Sequence, residues 1–276
     1  MKPQRFLAIA AGAIGLAVAI PASAVQFGEP DNDDHPYVAN VLLYNAALDD
    51  WVRACTGTLI SPRIVLTAAH CTTLPGDTVP PGPASVWFQS DLKPLMVPGG
   101  WPEYGSAYSV IGTAIPFPGW TGHQILPDTH DVGLIVLDQP VVLAEYGVLP
   151  TAGALDSLAN RRGQQNVEFD LVGYGAQVWK NKNIDFEFAR FEGTVQLINL
   201  KNKFTDGYNI QVTSNPGTGG GFCQGDSGGP LLLQDSATVV AVNSFANTGC
   251  NGSSWSYRID RQPILDWING YILANP

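Results

Sequence analysis

The apolar positions of this 276-residue chain fall into short runs between turn residues, not into helical stripes. Ten runs stand out: 38–44, 57–60, 64–67, 86–89, 132–137, 167–172, 190–197, 208–212, 230–233 and 239–245. Each has the length and β-branched content of a strand, and glycine or proline bounds most of them. The 30 glycines and 21 prolines are spread along the whole chain, so turns recur without a long helical interval. Many short strands with Gly/Pro turns predict an all-β sandwich or barrels. One helix is predicted, at the end. Asp260 is placed as its N-cap and Pro263 in its first turn, with Ile264, Leu265, Trp267, Ile268, Tyr271 and Ile272 as its apolar face. Residues 143–162 read as a connector between two β halves.

The first 24 residues follow a different pattern. Lys2 and Arg5 precede an apolar, alanine-rich stretch at 6–20, and Pro21-Ala22-Ser23-Ala24 ends in small residues. This predicts a secretory signal peptide over 1–24, cleaved after Ala24. The apolar run is short for a membrane anchor, and no later stretch is long enough to span. The mature chain is therefore expected to be secreted, extracellular and free of the membrane. It keeps 252 residues and, with 12 basic against 24 acidic groups, a formal charge of −12. An acidic surface argues against nucleic acid and anionic membranes as partners. The four cysteines are Cys55, Cys71, Cys223 and Cys250. An even count in a secreted chain predicts two disulfides, with three possible pairings. The sequential pairing closes short loops and puts one bridge in each half. A zinc site is disfavoured by the cysteine spacing and by a total of four histidines.

Candidate chemistry is concentrated in Gly219-Gly220-Gly221-Phe222-Cys223-Gln224-Gly225-Asp226-Ser227-Gly228-Gly229-Pro230. Six glycines around one serine exclude regular helix and strand. They suit a sharp turn whose N–H groups lie open to a ligand. A serine held there is a candidate nucleophile, with nearby amides placed to receive negative charge. His70 ends the strand-like run 64–69 beside Cys71 and is a candidate base. Asp131 heads the apolar run 132–137 and is a candidate for orienting that base.

Three blocks carry a resemblance: Thr67-Ala68-Ala69-His70-Cys71, His130-Asp131-Val132-Gly133-Leu134-Ile135 and Gly225-Asp226-Ser227-Gly228-Gly229-Pro230. They resemble, in order and approximate spacing, the signature blocks of the trypsin/chymotrypsin family of serine endopeptidases. The likeness runs from about Val25 to the C-terminal helix. It implies two six-stranded antiparallel β-barrels, about 25–142 and 163–276 with the helix, and an active cleft between them. It also implies Ser227 as nucleophile, His70 as base, Asp131 as its orienting acid, and the N–H groups of Gly225 and Ser227 as oxyanion hole. The sequential disulfides Cys55–Cys71 and Cys223–Cys250 match family positions. No metal or cofactor is implied. The implied partners are a protein or peptide substrate and protein protease inhibitors, and the chain is expected to act as a monomer.

Two further expectations follow from the resemblance. Asp226 would pair with the amine of a mature N-terminus at Val25, since signal cleavage exposes Val25-Gln26-Phe27-Gly28. Gly221, six residues before Ser227, would lie at the base of the primary pocket, where an aspartate would favour Arg or Lys. Ser244-Phe245-Ala246 resembles the pocket wall that pairs with substrate backbone, with Ala246 narrowing the entrance. Small or apolar side chains are therefore expected in the pocket. Two rivals remain: a catalytically silent binding or regulatory protein on the same fold, and an esterase of unrelated fold. The esterase would need a Gly-x-Ser-x-Gly elbow and the order Ser, Asp, His. Here the order is His70, Asp131, Ser227.

Overall fold

The computed structural model describes residues 25–97, 106–158, 167–180, 183–201 and 203–276. The predicted signal peptide at 1–24 and the predicted domain boundary near 163 lie outside the described residues. The strands are β1 (Glu29–Pro30), β2 (Val38–Asn45), β3 (Asp50–Ser61), β4 (Ile64–Thr67), β5 (Ala84–Trp87), β6 (Val110–Pro116), β7 (Gly133–Leu137), β8 (Glu168–Gly173), β9 (Val178–Lys180), β10 (Asn183–Asp185), β11 (Phe191–Asn199), β12 (Asn209–Ser214), β13 (Pro230–Leu233), β14 (Val239–Ala246) and β15 (Gly252–Arg258). One helix follows, α1 (Gln262–Ala274). Strands β2-β3-β4-β7-β6-β5 form one closed antiparallel barrel. Strands β8, β11, β12, β15, β14 and β13 form a second, closed by the β13–β8 pairing. The two-stranded β9–β10 hairpin stands apart from both. No helix among the described residues is long and apolar enough to cross a membrane.

The chain start differs from the expected division. Residues 25–30 do not join the first barrel. Glu29 pairs with Glu192 of β11, and Val25 is buried with Phe191, Phe222 and Leu231 in the core of the second barrel. The first barrel begins at Val38, so the two halves are laced together from the outset. Asp260 also departs from its predicted role. Its carboxylate accepts from Arg258 (2.8 and 2.7 Å) and from the Leu155 N–H (2.8 Å), and Arg261 takes the N-cap position without a side-chain cap. Ile264, Leu265 and Ile268 are buried as expected.

Two barrel strands lack the expected apolar signature. In β6, Gly112 and Pro116 interrupt the run. Gly112 lies so near β7 that a Cβ there would sit 2.7 Å from the Val136 carbonyl oxygen. In β15 the inward positions are serines: Ser254 and Ser256 are fully buried, and Ser256 Oγ donates to Asn243 Oδ1 at 3.0 Å. That side-chain hydrogen bond lets Ser256 sit in the interior without apolar contact, whereas Ser254 Oγ is buried without a partner among the described residues.

Arg190 ties the barrels together. Its side chain is fully buried and donates to Asp31 (2.6 Å), Asp33 (3.1 Å), the carbonyls of Val38 (2.9 Å) and Phe88 (3.1 Å), and Tyr174 Oη (3.2 Å). Asp31 also accepts from His35 Nδ1 at 2.6 Å. Burial opposes the Asp31 charge, but His35 and Arg190 outweigh it and hold the carboxyl below its usual range.

Candidate active site

The first barrel supplies two of the three expected residues. Cys55 on β3 and Cys71 form a disulfide, and it pins the short helical turn Ala69–Cys71 that follows β4. His70 sits in that turn. Asp131 precedes β7, which pairs with β4, so the β4–β7 ladder brings both ends to one rim. His70 Nδ1 lies 2.8 Å from Asp131 Oδ2 and 3.1 Å from Oδ1, and the His70 N–H donates to Oδ1 at 2.9 Å. Two more donors converge on Oδ2: Ser244 Oγ at 2.5 Å and Gln124 Nε2 at 2.8 Å. Asp131 is fully buried, which opposes its charge. The His70 charge and the hydrogen bonds of His70, Ser244 and Gln124 overcome that and keep its pKa lowered. An ionised carboxylate at Nδ1 fixes the imidazole tautomer that leaves Nε2 as acceptor.

The second barrel supplies the serine. Cys223 and Cys250 form the other disulfide, joining the glycine-rich loop to the segment after β14. Gly225 (φ 95°) and Gly228 (φ 79°) have left-handed backbone that flanks Asp226 and Ser227. The loop is also held from the first barrel. Thr56 on β3 donates its N–H to the Ser227 carbonyl (2.8 Å) and its hydroxyl to the Gly225 carbonyl (2.9 Å). Among the described residues, neither the Gly225 N–H nor the Ser227 N–H finds an acceptor. Ser227 Oγ likewise makes no hydrogen bond among them.

Asp226 is fully buried under this loop. It accepts from the N–H groups of Gly175 (2.7 Å) and Cys223 (2.9 Å). Gly173 and Gly175 make room for it, since a Cβ at either would collide with the carboxylate. No cation contacts Asp226 among the described residues. Burial therefore dominates and pushes its pKa up to about 7, despite the hydrogen bonds from Cys223 and Gly175. Nearby, Gln26 and Gly221 exchange backbone hydrogen bonds (3.0 and 3.2 Å). In the uncleaved chain Ala24 precedes Val25, so the Val25 nitrogen is a peptide nitrogen.

Two cavities open beside these residues. One, of about 290 Å³, is lined by Ser227, Phe222, Gln224, Phe245, Ala246 and the segment Asn247–Cys250 with Cys223. No acidic or basic side chain lines it. Gly221, expected at its base, is not among its lining residues. Gly221 packs against Ser214, whose Cα would lie 2.5 Å from an added Cβ, and Phe222 lines the cavity in its place. Ser244 also lies elsewhere, on the far side toward His70. Trp255 stacks on Phe245 (centroids 5.1 Å apart, planes 14°) and is not among the cavity-lining residues. The second cavity, of about 230 Å³, is lined by His70, Gln124, Ser244, Arg53, Trp120 and the 73–75 segment, with Gly122 and His123.

Sequence reasoning did not single out Thr56, Gln124 or Arg53. Gln124 lies on an exposed loop seven residues before Asp131, and its Nε2 also donates to the Ser244 carbonyl at 3.0 Å. Nothing in its neighbours' composition marks it, because its partners come from both barrels.

Comparison with known proteins agrees with this arrangement. The family model described as Trypsin matches residues 25–268. Chymotrypsin-like elastase family member 1 of Bos taurus is 27% identical, over 82% of this chain and 81% of its own length. Glandular kallikrein of Sus scrofa is 26% identical, over 90% of this chain and 95% of its own. Among solved structures, HL collagenase superposes with a TM-score of 0.62 at 21% identity, covering 86% of this chain and 93% of its own. Human heparin binding protein superposes with a TM-score of 0.57 at 19% identity, over 88% and 93% of the two chains. These two structural likenesses speak to the fold. With a family model spanning nearly all of 25–276, two closed six-stranded barrels and both disulfides in place, the chain belongs to the trypsin/chymotrypsin-like family of serine proteases.

Proposed function

We propose that this chain is a secreted serine endopeptidase that hydrolyses peptide bonds through an acyl-enzyme on Ser227. The observation that carries the reading is the pairing of a fixed base with open donors. Asp131 holds His70 through Nδ1, while the Gly225 and Ser227 N–H groups stand without acceptors among the described residues. In the proposed mechanism Ser227 Oγ attacks the substrate carbonyl carbon and its proton passes to His70 Nε2. The carbonyl oxygen takes the negative charge and is met by the two N–H groups. The C–N bond then breaks, and the proton on His70 goes to the leaving amine. Water repeats the sequence on the ester and frees Ser227. Ser227 Oγ makes no hydrogen bond to His70, and such contacts commonly tighten only with substrate bound. The cavity beside Ser227 has Phe222, Phe245 and Ala246 in its wall and no carboxylate, which supports small or apolar side chains next to the cleaved bond rather than Arg or Lys.

A serine-directed fluorophosphonate should label the processed protein and not its Ser227→Ala variant, and a peptide-library digest should show apolar residues before the cut. Labelling that survives Ser227→Ala would refute the nucleophile. A digest dominated by Arg or Lys would refute the pocket reading. No labelling of processed protein would favour the silent binding protein.

The same reading pairs the mature Val25 amine with Asp226. Three observations support it: Asp226 is buried with no cation in contact among the described residues, Val25 is buried, and Gln26 pairs with Gly221 of the serine loop. The sign of the pH effect follows. A carboxyl with its folded pKa raised from 3.8 to about 7 stabilises the fold fully below its unfolded pKa and loses that contribution as pH rises to the folded value. Over about three pH units this is roughly 4 kcal/mol. On the Ser227→Ala background, urea denaturation at pH 4 and pH 7 should show the uncleaved chain losing stability on this scale relative to the chain starting at Val25. Identical pH dependence in the two chains would rule the pair out, as would secreted protein that starts elsewhere.

A further inference from the structure

The described residues include five arginines, and four are satisfied. Arg190 and Arg258 bind carboxylates, Arg63 donates to the carbonyls of Leu137 and Asp138, and Arg261 lies 3.8 Å over the Tyr208 ring. Arg53 is the exception. It is half-buried on β3, two residues before the Cys55–Cys71 disulfide, and its side chain makes no hydrogen bond or ion pair among the described residues. Its Nε is buried without a partner. Burial disfavours its charge and lowers its pKa, with only the field of Asp131 opposing that shift. An unpaired guanidinium out of water is costly, and this chain has 24 acidic groups from which a partner could have come.

The location gives the cost a use. Arg53 lines the cavity of about 230 Å³ that also contains His70, Gln124 and Ser244. Trp120 forms part of its wall, fixed by a 2.9 Å hydrogen bond from Nε1 to Thr73 Oγ1. Nothing acidic lines the cavity. A guanidinium presents paired donors that match a carboxylate, and a half-desolvated one binds it more strongly than an exposed one. We propose that this cavity is an acidic-residue subsite, in which Arg53 receives the side-chain carboxylate of an Asp or Glu within two residues of the cleaved bond. This deepens the endopeptidase reading and rests on it for the identity of the ligand as a peptide. The apolar cavity beside Ser227 and the cationic cavity beyond His70 then select neighbouring residues of opposite character.

The test uses a mixed-sequence peptide library with Asp/Asn and Glu/Gln alternatives at the two positions on each side of an apolar cleavage residue. Two quantities are read: kcat/KM ratios for acid over amide with the intact enzyme, and retention of the same library on immobilised Ser227→Ala protein. At least one position should favour the acid by about tenfold, the size of one charge-assisted hydrogen bond. Arg53→Gln should bring that ratio to about one, and Arg53→Glu should invert it in favour of the amide. Acid and amide treated alike by the unmodified cavity would overturn the proposal, and so would an acid preference that persists in Arg53→Gln. Retention by the Ser227→Ala protein needs no turnover, so it decides the subsite even if fluorophosphonate labelling of the parent protein fails and the endopeptidase reading with it.

Discussion

Replacing Asp131 by asparagine is expected to slow peptide hydrolysis and fluorophosphonate labelling by about 10⁴-fold, the size seen when the same change is made in a Ser-His-Asp triad. The local hydrogen bonding says why so small a change has so large an effect. Both Asp131 oxygens only accept. Oδ1 takes the His70 N–H, and Oδ2 takes His70 Nδ1, Ser244 Oγ and Gln124 Nε2. An asparagine must put an NH₂ at one of these positions, facing a donor. If it faces His70 Nδ1, the imidazole is driven to the tautomer with its proton on Nε2, and that nitrogen can no longer take the Ser227 proton. If it faces the His70 N–H, the turn that holds the imidazole is disturbed. In both cases the charge that would stabilise the imidazolium is gone. The fold should survive, because volume is unchanged and the disulfides are untouched. Circular dichroism and thermal melting on the same sample check that. A folded variant that keeps more than a tenth of the parent rate would show that Asp131 does not orient the base.

Arg190→Ala should have the largest effect on stability, about 3–5 kcal/mol, which is the cost of breaking a buried ion pair from one side. For a chain of this size that is a fall in melting temperature of roughly 10 °C. The loss has three parts. Asp31, with its side chain fully buried, keeps only His35 as a charged partner; the Val38 and Phe88 carbonyls lose a donor; and the link from the N-terminal segment to Tyr174 is cut. The pH dependence should change with it. The Asp31 pKa is lowered in the folded chain, so its stabilisation is present above the unfolded value of 3.8 and is lost as pH falls. Without Arg190 that acid limb should flatten. His35 works in the opposite sense. Burial opposes its charge, but Asp31 raises its pKa above 6.5, so its contribution is present below that value and lost as pH rises. Denaturant melts of parent and variant between pH 3 and 8 would test this, and a loss below about 1 kcal/mol at neutral pH would contradict it.

The sequence was most informative where one segment alone determined the outcome. Strands such as 64–67 and 230–233 are bounded apolar runs, and they form β4 and β13 with those limits. The blocks around His70, Asp131 and Ser227 were legible because each carries its own turn residues or adjoining cysteine. What escaped notice depends on contacts between distant segments. Arg190 and Asp31 are 159 positions apart, and Arg190 looked like the first residue of a strand. Asp260 resembled an N-cap because helix starts favour that residue, but Arg258 two positions earlier claims its carboxylate. The serines of β15 gave no apolar run to read, and the partner that lets Ser256 be buried, Asn243 on the neighbouring strand β14, is 13 positions away. Gly221 was assigned to the pocket by counting back from Ser227. Counting cannot show that Ser214 leaves no open space beside it.

The two hydrogen bonds from Thr56 to the serine loop bear on how this protein could be rebuilt from parts. Ser227 belongs by sequence to the second barrel, but two of its loop's carbonyls are held by a residue of the first. The Thr56 carbonyl is held in turn by Thr67 Oγ1 at 2.8 Å, three residues before His70. A chimaera made by grafting another protein's second barrel onto this first one would bring a serine loop without the threonine that fits it. The unit of exchange is therefore not the barrel but the barrel together with the strand segment around position 56, and a crossover that separates them should yield two well-formed halves with a misaligned serine.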